Sequence, residues 1–157
     1  METIHVLIAG DDQAVATLKA VLHTEPGDMT HYHMEVETDY TELLRKLVRN
    51  THDIYVIDQK IRDVPATGQD LIRKANAGGC SSPAILLTTL SDEDAEMVVE
   101  DVGAAGFLNI HLDLEERVVK HAIRHAIRHF RQLQDIHNQL THVQQQLLDI
   151  GRALNRR

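Results

Sequence analysis

The chain has 157 residues, of which 43% are hydrophobic and 25% are charged, and this composition predicts a folded protein rather than a disordered one. Its length suits one globular domain with an extension and is too short for two full α/β domains. The single cysteine, Cys80, excludes a disulfide within the chain, and no apolar run approaches the roughly 20 residues of a membrane helix. Acidic residues stand where a secretory signal would be basic, so we expect a cytoplasmic protein.

The net charge of −8 is distributed unevenly along the chain. Residues 1–116 contain 22 acidic and 8 basic residues, a net charge of −14, whereas residues 117–157 contain 2 and 8, a net charge of +6. The two parts are therefore expected to have different roles. We predict a domain over residues 1–116, which extends to about residue 125 with the start of its last helix, and a separate segment over residues 117–157.

Short apolar segments that predict buried strands alternate with segments of helical periodicity in the acidic part. Strands are predicted at residues 6–9, 31–37, 54–57, 83–87 and 105–109, and a helical pattern follows each of them. Capping sequences that begin at Asp39, Ser91 and Asp113 predict the starts of three helices, and a loop containing Pro65 follows the third strand. Five strand-helix units predict a (βα)5 fold, a doubly wound parallel sheet with helices on both faces and right-handed crossovers.

Polar and charged residues follow several of the predicted strands. Ligand sites in open parallel sheets lie at the carboxyl ends of the strands, near the point where the strand order reverses. Carboxylates from two strand ends repel one another unless a cation lies between them, and Mg2+ prefers such oxygen ligands. An aspartate in this position can also act as a nucleophile toward phosphorus. The alternative is that these acids only cap a helix and end a strand, and spacing alone leaves both interpretations open. The residues at these ends are Asp11, Asp12, Asp58, Thr88, Asn109 and Ile110.

Four segments occur in the order and spacing of one known family. They are VLIAGDD at 6–12, HDIYVID at 52–58, PAILLT at 83–88 and GAAGFL at 103–108. Together they resemble the CheY-like receiver domain of bacterial two-component response regulators, over about residues 3–125. The resemblance implies that Asp58 is the phosphoacceptor, that Asp11 and Asp58 hold Mg2+ with help from Asp12, and that Thr88 hydrogen-bonds the phosphoryl group. It also places Phe107 at the position of the switch aromatic residue.

The sequence departs from the receiver pattern at two strand ends. Gly10 stands where the family usually carries the first of two adjacent acids. Ile110 and His111 stand where a lysine and a proline are usual, and an isoleucine supplies neither a charge nor a hydrogen bond to a phosphoryl group on Asp58. The missing contact is worth roughly 1.5–3 kcal/mol. The loop between Asp58 and Gly68 is about two residues longer than usual, so the domain resembles a degenerate receiver.

Two interpretations of the degeneracy remain open. The acids still bind Mg2+ and permit slow phosphorylation with weak coupling to conformation, or the fold has become a phosphate-independent module for dimerisation or partner binding. We favour impaired or absent switching. A small flavodoxin-like enzyme is disfavoured, because no glycine-rich phosphate loop or nucleophile-base pair accompanies the acids. We therefore expect a signalling protein that is not an enzyme, with a histidine kinase or phosphotransfer protein as its partner.

The basic part carries apolar residues at alternating spacings of three and four, as in a coiled-coil seam, with one phase shift at 130–133–136. A helix of about 42 residues is roughly 60 Å long, and its apolar stripe needs a partner. A parallel two-chain coiled coil is the simplest solution, and a hairpin packed on the domain is disfavoured because no turn signal precedes Gly151. The apolar residues are Val119, Ile123, Ala126, Phe130, Leu133, Ile136, Leu140, Val143, Leu147, Ile150 and Leu154.

Basic residues and histidines lie outside this seam. We assign the basic ones to a solvated outer face rather than to a nucleic acid, because no recognition motif accompanies them and the acidic domain repels the same polymer. The histidines, spaced four apart, suit pairwise chelation of a transition metal, but we interpret them as surface residues. The residues concerned are Lys120, Arg124, Arg128, Arg131, His121, His125 and His129.

The segment HAIRHAIR at 121–128 resembles the helix through which receivers continue into an output module. We accordingly expect the chain to be part of a longer protein with a downstream output domain. The runner-up is a receiver-like antiterminator that acts on RNA, although its RNA-binding helices are not visible in this sequence.

Overall fold

The computed structural model describes residues 2–61 and 67–156 of the chain. It comprises two compact units, Met1–Ile127 and Arg128–Arg157, and each is described by itself. Pro65 and most of the loop that follows Asp58 lie outside the described residues, and so does the predicted lengthening of that loop.

The first unit alternates strands and helices. The elements are β1 (Glu2–Ala9), α1 (Asp12–Val21), β2 (Thr30–Val36), α2 (Tyr40–Arg49), β3 (Ile54–Asp58), α3 (Gly68–Ala77), β4 (Ala84–Thr88), α4 (Asp92–Val102), β5 (Gly106–Asn109) and α5 (Glu116–Asn155). Every neighbouring strand pair is parallel, and the sheet order is β2-β1-β3-β4-β5. The predicted (βα)5 sheet is confirmed.

β1 and β3 extend beyond their predicted ends, and β2 and β4 each gain one residue, Thr30 and Thr88. β1 begins at Glu2, which pairs with Thr30 of β2, and Ile4 is the one buried residue between Glu2 and His5. β3 continues to Asp58, which pairs with Leu87 of β4. A run of apolar residues misses both extensions, because backbone pairing includes polar residues as readily as apolar ones.

The sheet has a hydrophobic core on each face. Successive residues of a strand point to opposite faces, so Leu7 and Ile8 of β1 belong to different clusters. One cluster joins the sheet to α1 and the start of α5, and its helical members include Ala14, Leu18, Val119, Ile123 and Ala126. The other joins the sheet to α2, α3 and α4, and its helical members include Leu43, Leu47, Leu71, Ile72 and Val102. Both faces are therefore covered, as a parallel sheet requires.

Side chains cap four of the helices. The capping residues, each of which accepts a hydrogen bond from a backbone N–H three positions on, are Asp11, Asp39, Thr67 and Ser91. The predicted caps at Asp39 and Ser91 are thus confirmed. The prediction that Asp113 begins the cap of α5 is wrong: its carboxylate accepts the backbone N–H of Asn109 at 2.8 Å, and α5 begins at Glu116. Asp113 therefore closes the turn after β5 instead of capping the helix.

The second unit is the remainder of α5. The helix continues without interruption from Glu116 to Asn155, and this confirms the predicted long last helix. Its large apolar side chains beyond residue 130 are about half exposed, from 49% for Val143 to 63% for Leu147. None of the helices in the described part of the chain is long and apolar enough to cross a membrane.

Candidate functional site

Residues at the carboxyl ends of β1, β3, β4 and β5 line a cavity of about 770 Å³. The strand order reverses at β1, so the cavity lies where open parallel sheets bind ligands. The structure brings Asp11, Asp12, Asp58 and Ile110 together at this cavity, although they come from three separate strand ends. The other lining residues are Gln13, Ala14, Thr17, Gln59, Lys60, Ile61, Thr89, His111 and Leu114.

Asp58 is the last residue of β3 and is only 4% exposed. The backbone N–H of Lys60 donates a hydrogen bond of 3.0 Å to Asp58 Oδ1, and the backbone N–H of Asp11 also bonds this carboxylate. Burial raises the pKa of Asp58 above its ordinary value, and the negative charge of Asp11 acts in the same direction. The two backbone bonds and the positive charge of Lys60 oppose this rise. A cation in the cavity would stabilise the ionised carboxylate further.

Asp11 caps a helix in addition to lining the cavity. Its Oδ1 accepts the backbone N–H of Ala14 at 2.7 Å and so begins α1, where a negative charge also interacts favourably with the helix dipole. Within residues 2–61 and 67–156, no group of three or more histidine, cysteine, aspartate or glutamate side chains is arranged to hold a metal ion. Mg2+ often binds through one or two carboxylates together with water and phosphoryl oxygens. Asp11 and Asp58 therefore supply the type and number of ligands that such a Mg2+ site uses.

Two glycines lie against Asp58. A Cβ atom at Gly68 would be 2.0 Å from the carbonyl oxygen of Asp58, so only glycine lets the start of α3 pack directly on the end of β3. Gly10 differs, since a Cβ atom there would lie 3.4 Å from Asp58 Cβ and 3.5 Å from its Oδ2, which are ordinary contact distances. Position 10 therefore has room for a Cβ atom beside Asp58.

Thr88 is fully buried at the end of β4, and its hydroxyl is hydrogen-bonded within the protein. Thr88 Oγ1 donates to Gln59 Oε1 at 2.7 Å and accepts the backbone N–H of Leu90 at 3.1 Å. Thr89 lines the cavity, whereas Thr88 is not among its lining residues. Thr88 must therefore release Gln59 before its hydroxyl can donate to a phosphoryl group.

The two remaining predicted positions lie on β5 and directly after it. Phe107 is partly buried and packs against the core cluster that contains α3. Ile110 lines the cavity at the position of the family's lysine, and its side chain packs against the opposite core cluster. Among the described residues that line the cavity, Lys60 is the only lysine or arginine. The positive charge of this cavity therefore comes from the β3 side rather than from the end of β5.

The sequence pattern did not single out Gln59 and Lys60. Both follow Asp58 directly, but the partner of the Gln59 side chain is Thr88, which is 29 residues away in the sequence. The contact of Lys60 with Asp58 runs through its backbone N–H, which any residue except proline supplies. Adjacency to the predicted phosphoacceptor was the available signal for both residues.

The fold and this cavity define a class, the CheY-like α/β domains with an acidic site at the carboxyl edge of a five-stranded parallel sheet. Comparison with solved structures places receiver domains in the same class. The signal receiver domain of a modulated diguanylate cyclase from Desulfovibrio desulfuricans is 22% identical to this chain and covers 83% of it and 98% of its own length, with a TM-score of 0.63. A CheY-like response regulator receiver domain protein from Methanospirillum hungatei is 17% identical over 84% of this chain and 98% of its own, with a TM-score of 0.64.

A third similar structure is a fusion that carries a trimeric coiled coil from yeast. It is 17% identical and covers 97% of this chain and 91% of its own, with a TM-score of 0.68. No protein-family model matches the sequence, and no curated protein matches it. The similarity to these solved structures shows that the chain has the receiver fold.

Proposed function

We propose that this chain is a cytoplasmic receiver-like signalling module of a two-component phosphorelay, which accepts a phosphoryl group on Asp58 and couples it weakly to conformation. The observation that carries the proposal is the position of Asp58, buried at the end of β3 and facing an acidic cavity at the switch point of the sheet. The donor would be a phosphohistidine of a histidine kinase or of a phosphotransfer protein. The output would be a domain beyond the long helix.

The chemistry of transfer requires an ionised, oriented carboxylate. An oxygen of Asp58 attacks the phosphorus of the donor, an O–P bond forms as the donor's P–N bond breaks, and the electron pair returns to the imidazole. The backbone N–H groups of Lys60 and Asp11 orient the carboxylate. A bound Mg2+ would supply charge neutralisation for the phosphoryl oxygens, and Asp11 and Asp58 are the residues that would hold it.

Weak coupling is supported by three features of the site. Ile110 provides no cation or donor for a phosphoryl oxygen, and the Thr88 hydroxyl is engaged by Gln59. Phe107 packs against the α3 side of the core. A phosphoryl group on Asp58 would therefore gain little by rearranging β4 and β5.

Exposed apolar side chains on the second unit support self-association of the chain. A helix with half-exposed leucine, isoleucine and valine side chains along one stripe is stable in water when the stripe is covered. The spacing alone predicts a homodimer through the C-terminal helix. This feature also favours a second candidate function, assembly independent of phosphate.

Incubation with acetyl phosphate and Mg2+, followed by mass spectrometry, tests the phosphoacceptor. We expect one phosphoryl group on the wild-type chain and on Asp94→Asn, which changes an exposed carboxylate of α4 outside the cavity, and none on Asp58→Asn. Modification elsewhere, or none at all, would overturn phosphorylation at Asp58 and leave phosphate-independent assembly.

Hydrogen exchange with and without beryllofluoride and Mg2+ tests the coupling. We expect little change in the wild-type chain and a larger change in β4 and β5 of Ile110→Lys, with Ile110→Leu as the matched control. A full response in the wild-type chain would contradict weak coupling.

A further inference from the structure

Seven apolar side chains of the second unit form one uninterrupted heptad repeat. From Leu133 to Leu154 they recur at spacings of three, four, three, four, three and four, which fixes the register without ambiguity because position a precedes d by three residues. We call these seven residues the apolar seam. Its a positions are Leu133, Leu140, Leu147 and Leu154, and its d positions are Ile136, Val143 and Ile150. All seven are 49–63% exposed in the single chain.

The residue types in the apolar seam differ from those of a two-stranded coiled coil. Parallel dimers favour β-branched residues at a and leucine at d, whereas this seam has leucine at every a position and a β-branched residue at every d position. The physical reason is the direction of the Cα–Cβ bond at each layer. In a dimer the d side chains point directly at the partner helix, which suits leucine and crowds the stiff β-branched side chains. In a four-stranded coil the Cα–Cβ directions of the a and d layers are exchanged. Leucine therefore fits at a, and isoleucine or valine fits at d.

The residues that flank the seam carry no acidic, lysine or arginine side chain. Adding more helices to a coiled coil widens the buried stripe, so the e and g positions lose solvent, and charges there become costly. In this helix the e and g positions are His137, Gln144 and Gly151 and Gln132, Gln139, Gln146 and Ala153. The charged residues of the segment lie at the outer c and f positions, at Arg131, Asp135, Asp149, Arg152 and Arg156.

We infer that four copies of this chain associate through their apolar seams in a four-stranded coiled coil. The occupant of each seam is the same helix from other copies, because the a and d side chains of one copy match the holes of another and no flanking charge selects a different partner. This inference rests on the proposed self-association and replaces the dimer that spacing alone predicts. It would bring four receiver-like domains into one assembly.

Sedimentation equilibrium of the full chain at micromolar concentration tests the number of copies. We expect a mass of about 71 kDa, four times that of the 17.7 kDa chain. A dimer or a trimer would overturn the four-chain assembly while leaving self-association intact. A monomer would overturn both the four-chain assembly and self-association. None of these results bears on phosphorylation at Asp58.

A composition-preserving variant tests whether the residue types at a and d set the number of helices. Exchanging the residue types in two heptads, with Leu140→Val, Val143→Leu, Leu147→Ile and Ile150→Leu, retains the seam but introduces the dimer pattern. We expect the mass to fall twofold with the helix content unchanged by circular dichroism. Exchanging the outer residues Asp135→Asn and Asp149→Asn serves as the control and should leave the tetramer intact. An unchanged mass for the exchanged seam would overturn the assignment of copy number to the a and d residues.

Discussion

The hydroxyl of Thr88 donates a 2.7 Å hydrogen bond to the side-chain amide oxygen of Gln59, the residue that directly follows Asp58. The bond joins the ends of β3 and β4 beside the candidate phosphoacceptor. It also engages the hydroxyl that the receiver resemblance assigns to the phosphoryl group. Gln59 and a phosphoryl oxygen are therefore competing acceptors for one proton donor.

Replacing Gln59 should strengthen the response to phosphoryl analogues. In Gln59→Ala the buried Thr88 hydroxyl loses its acceptor, and a buried unpaired donor favours any acceptor within reach. We expect hydrogen exchange in β4 and in the start of α4 to slow more on adding beryllofluoride and Mg2+ than it does in the wild-type chain. Gln13→Ala, which changes another side chain of the same cavity, is the control. Equal responses in the two variants would mean that Gln59 does not restrain Thr88.

Removing the charge of Asp58 should stabilise the domain at neutral pH. Burial raises the pKa of this carboxyl in the folded state, so the folded protein disfavours the ionised form. The free energy of unfolding therefore decreases as the pH rises from the unfolded pKa, about 4, through the folded one, and stays reduced at pH 7. We expect Asp58→Asn to be more stable than the wild-type chain at pH 7, with the difference shrinking toward pH 4.

Urea denaturation at the two pH values measures this difference. Glu96→Gln removes a charge from an exposed position of α4 and should change stability little at either pH. No gain in stability for Asp58→Asn at pH 7 would mean that the hydrogen bonds and charges around the carboxylate fully offset the cost of burying it.

Restoring an acid after β1 should strengthen Mg2+ binding. Gly10 has room for a Cβ atom beside Asp58, and a third carboxylate adds a charged oxygen ligand to the cavity. We expect Gly10→Asp to bind Mg2+ about tenfold more tightly in a calorimetric titration, which corresponds to about 1.4 kcal/mol of binding free energy. Gly10→Ala adds the Cβ atom without the carboxylate and should bind as the wild-type chain does. Equal gains in both variants would assign the effect to backbone stiffening instead.

Filling the contact at Gly68 should destabilise the fold. A methyl group there would meet the carbonyl oxygen of Asp58 at 2.0 Å, so α3 or the end of β3 must move. We expect Gly68→Ala to lose about 3 kcal/mol or more in chemical denaturation. Gly106→Ala is the control, because a Cβ atom there has no neighbour within 4 Å, and it should change stability by less than about 1 kcal/mol. A small loss for Gly68→Ala would show that the junction of β3 and α3 yields easily.

The sequence alone was sufficient to predict the order of the elements and the edge of the sheet where the site lies. Strand and helix have different periods of side-chain direction, so five apolar runs alternating with helical patterns specify a parallel sheet without any knowledge of contacts. The placement of Asp11 and Asp58 at one edge then follows, because the ends of parallel strands meet there. The long last helix was also predictable, since its heptad spacing is a local property.

The tertiary structure decided what the local patterns left open. The bond between Gln59 and Thr88, the approach of Gly68 to Asp58, and the pairing of Glu2 with Thr30 each join positions that sequence neighbours do not specify. Asp113 illustrates the same limit, because its sequence position suits a helix cap or a turn, and the folded chain uses its carboxylate to accept the backbone N–H of Asn109. Periodicity determines which face of an element is buried. The partner of a polar group depends on distances of a few ångströms, which packing alone sets.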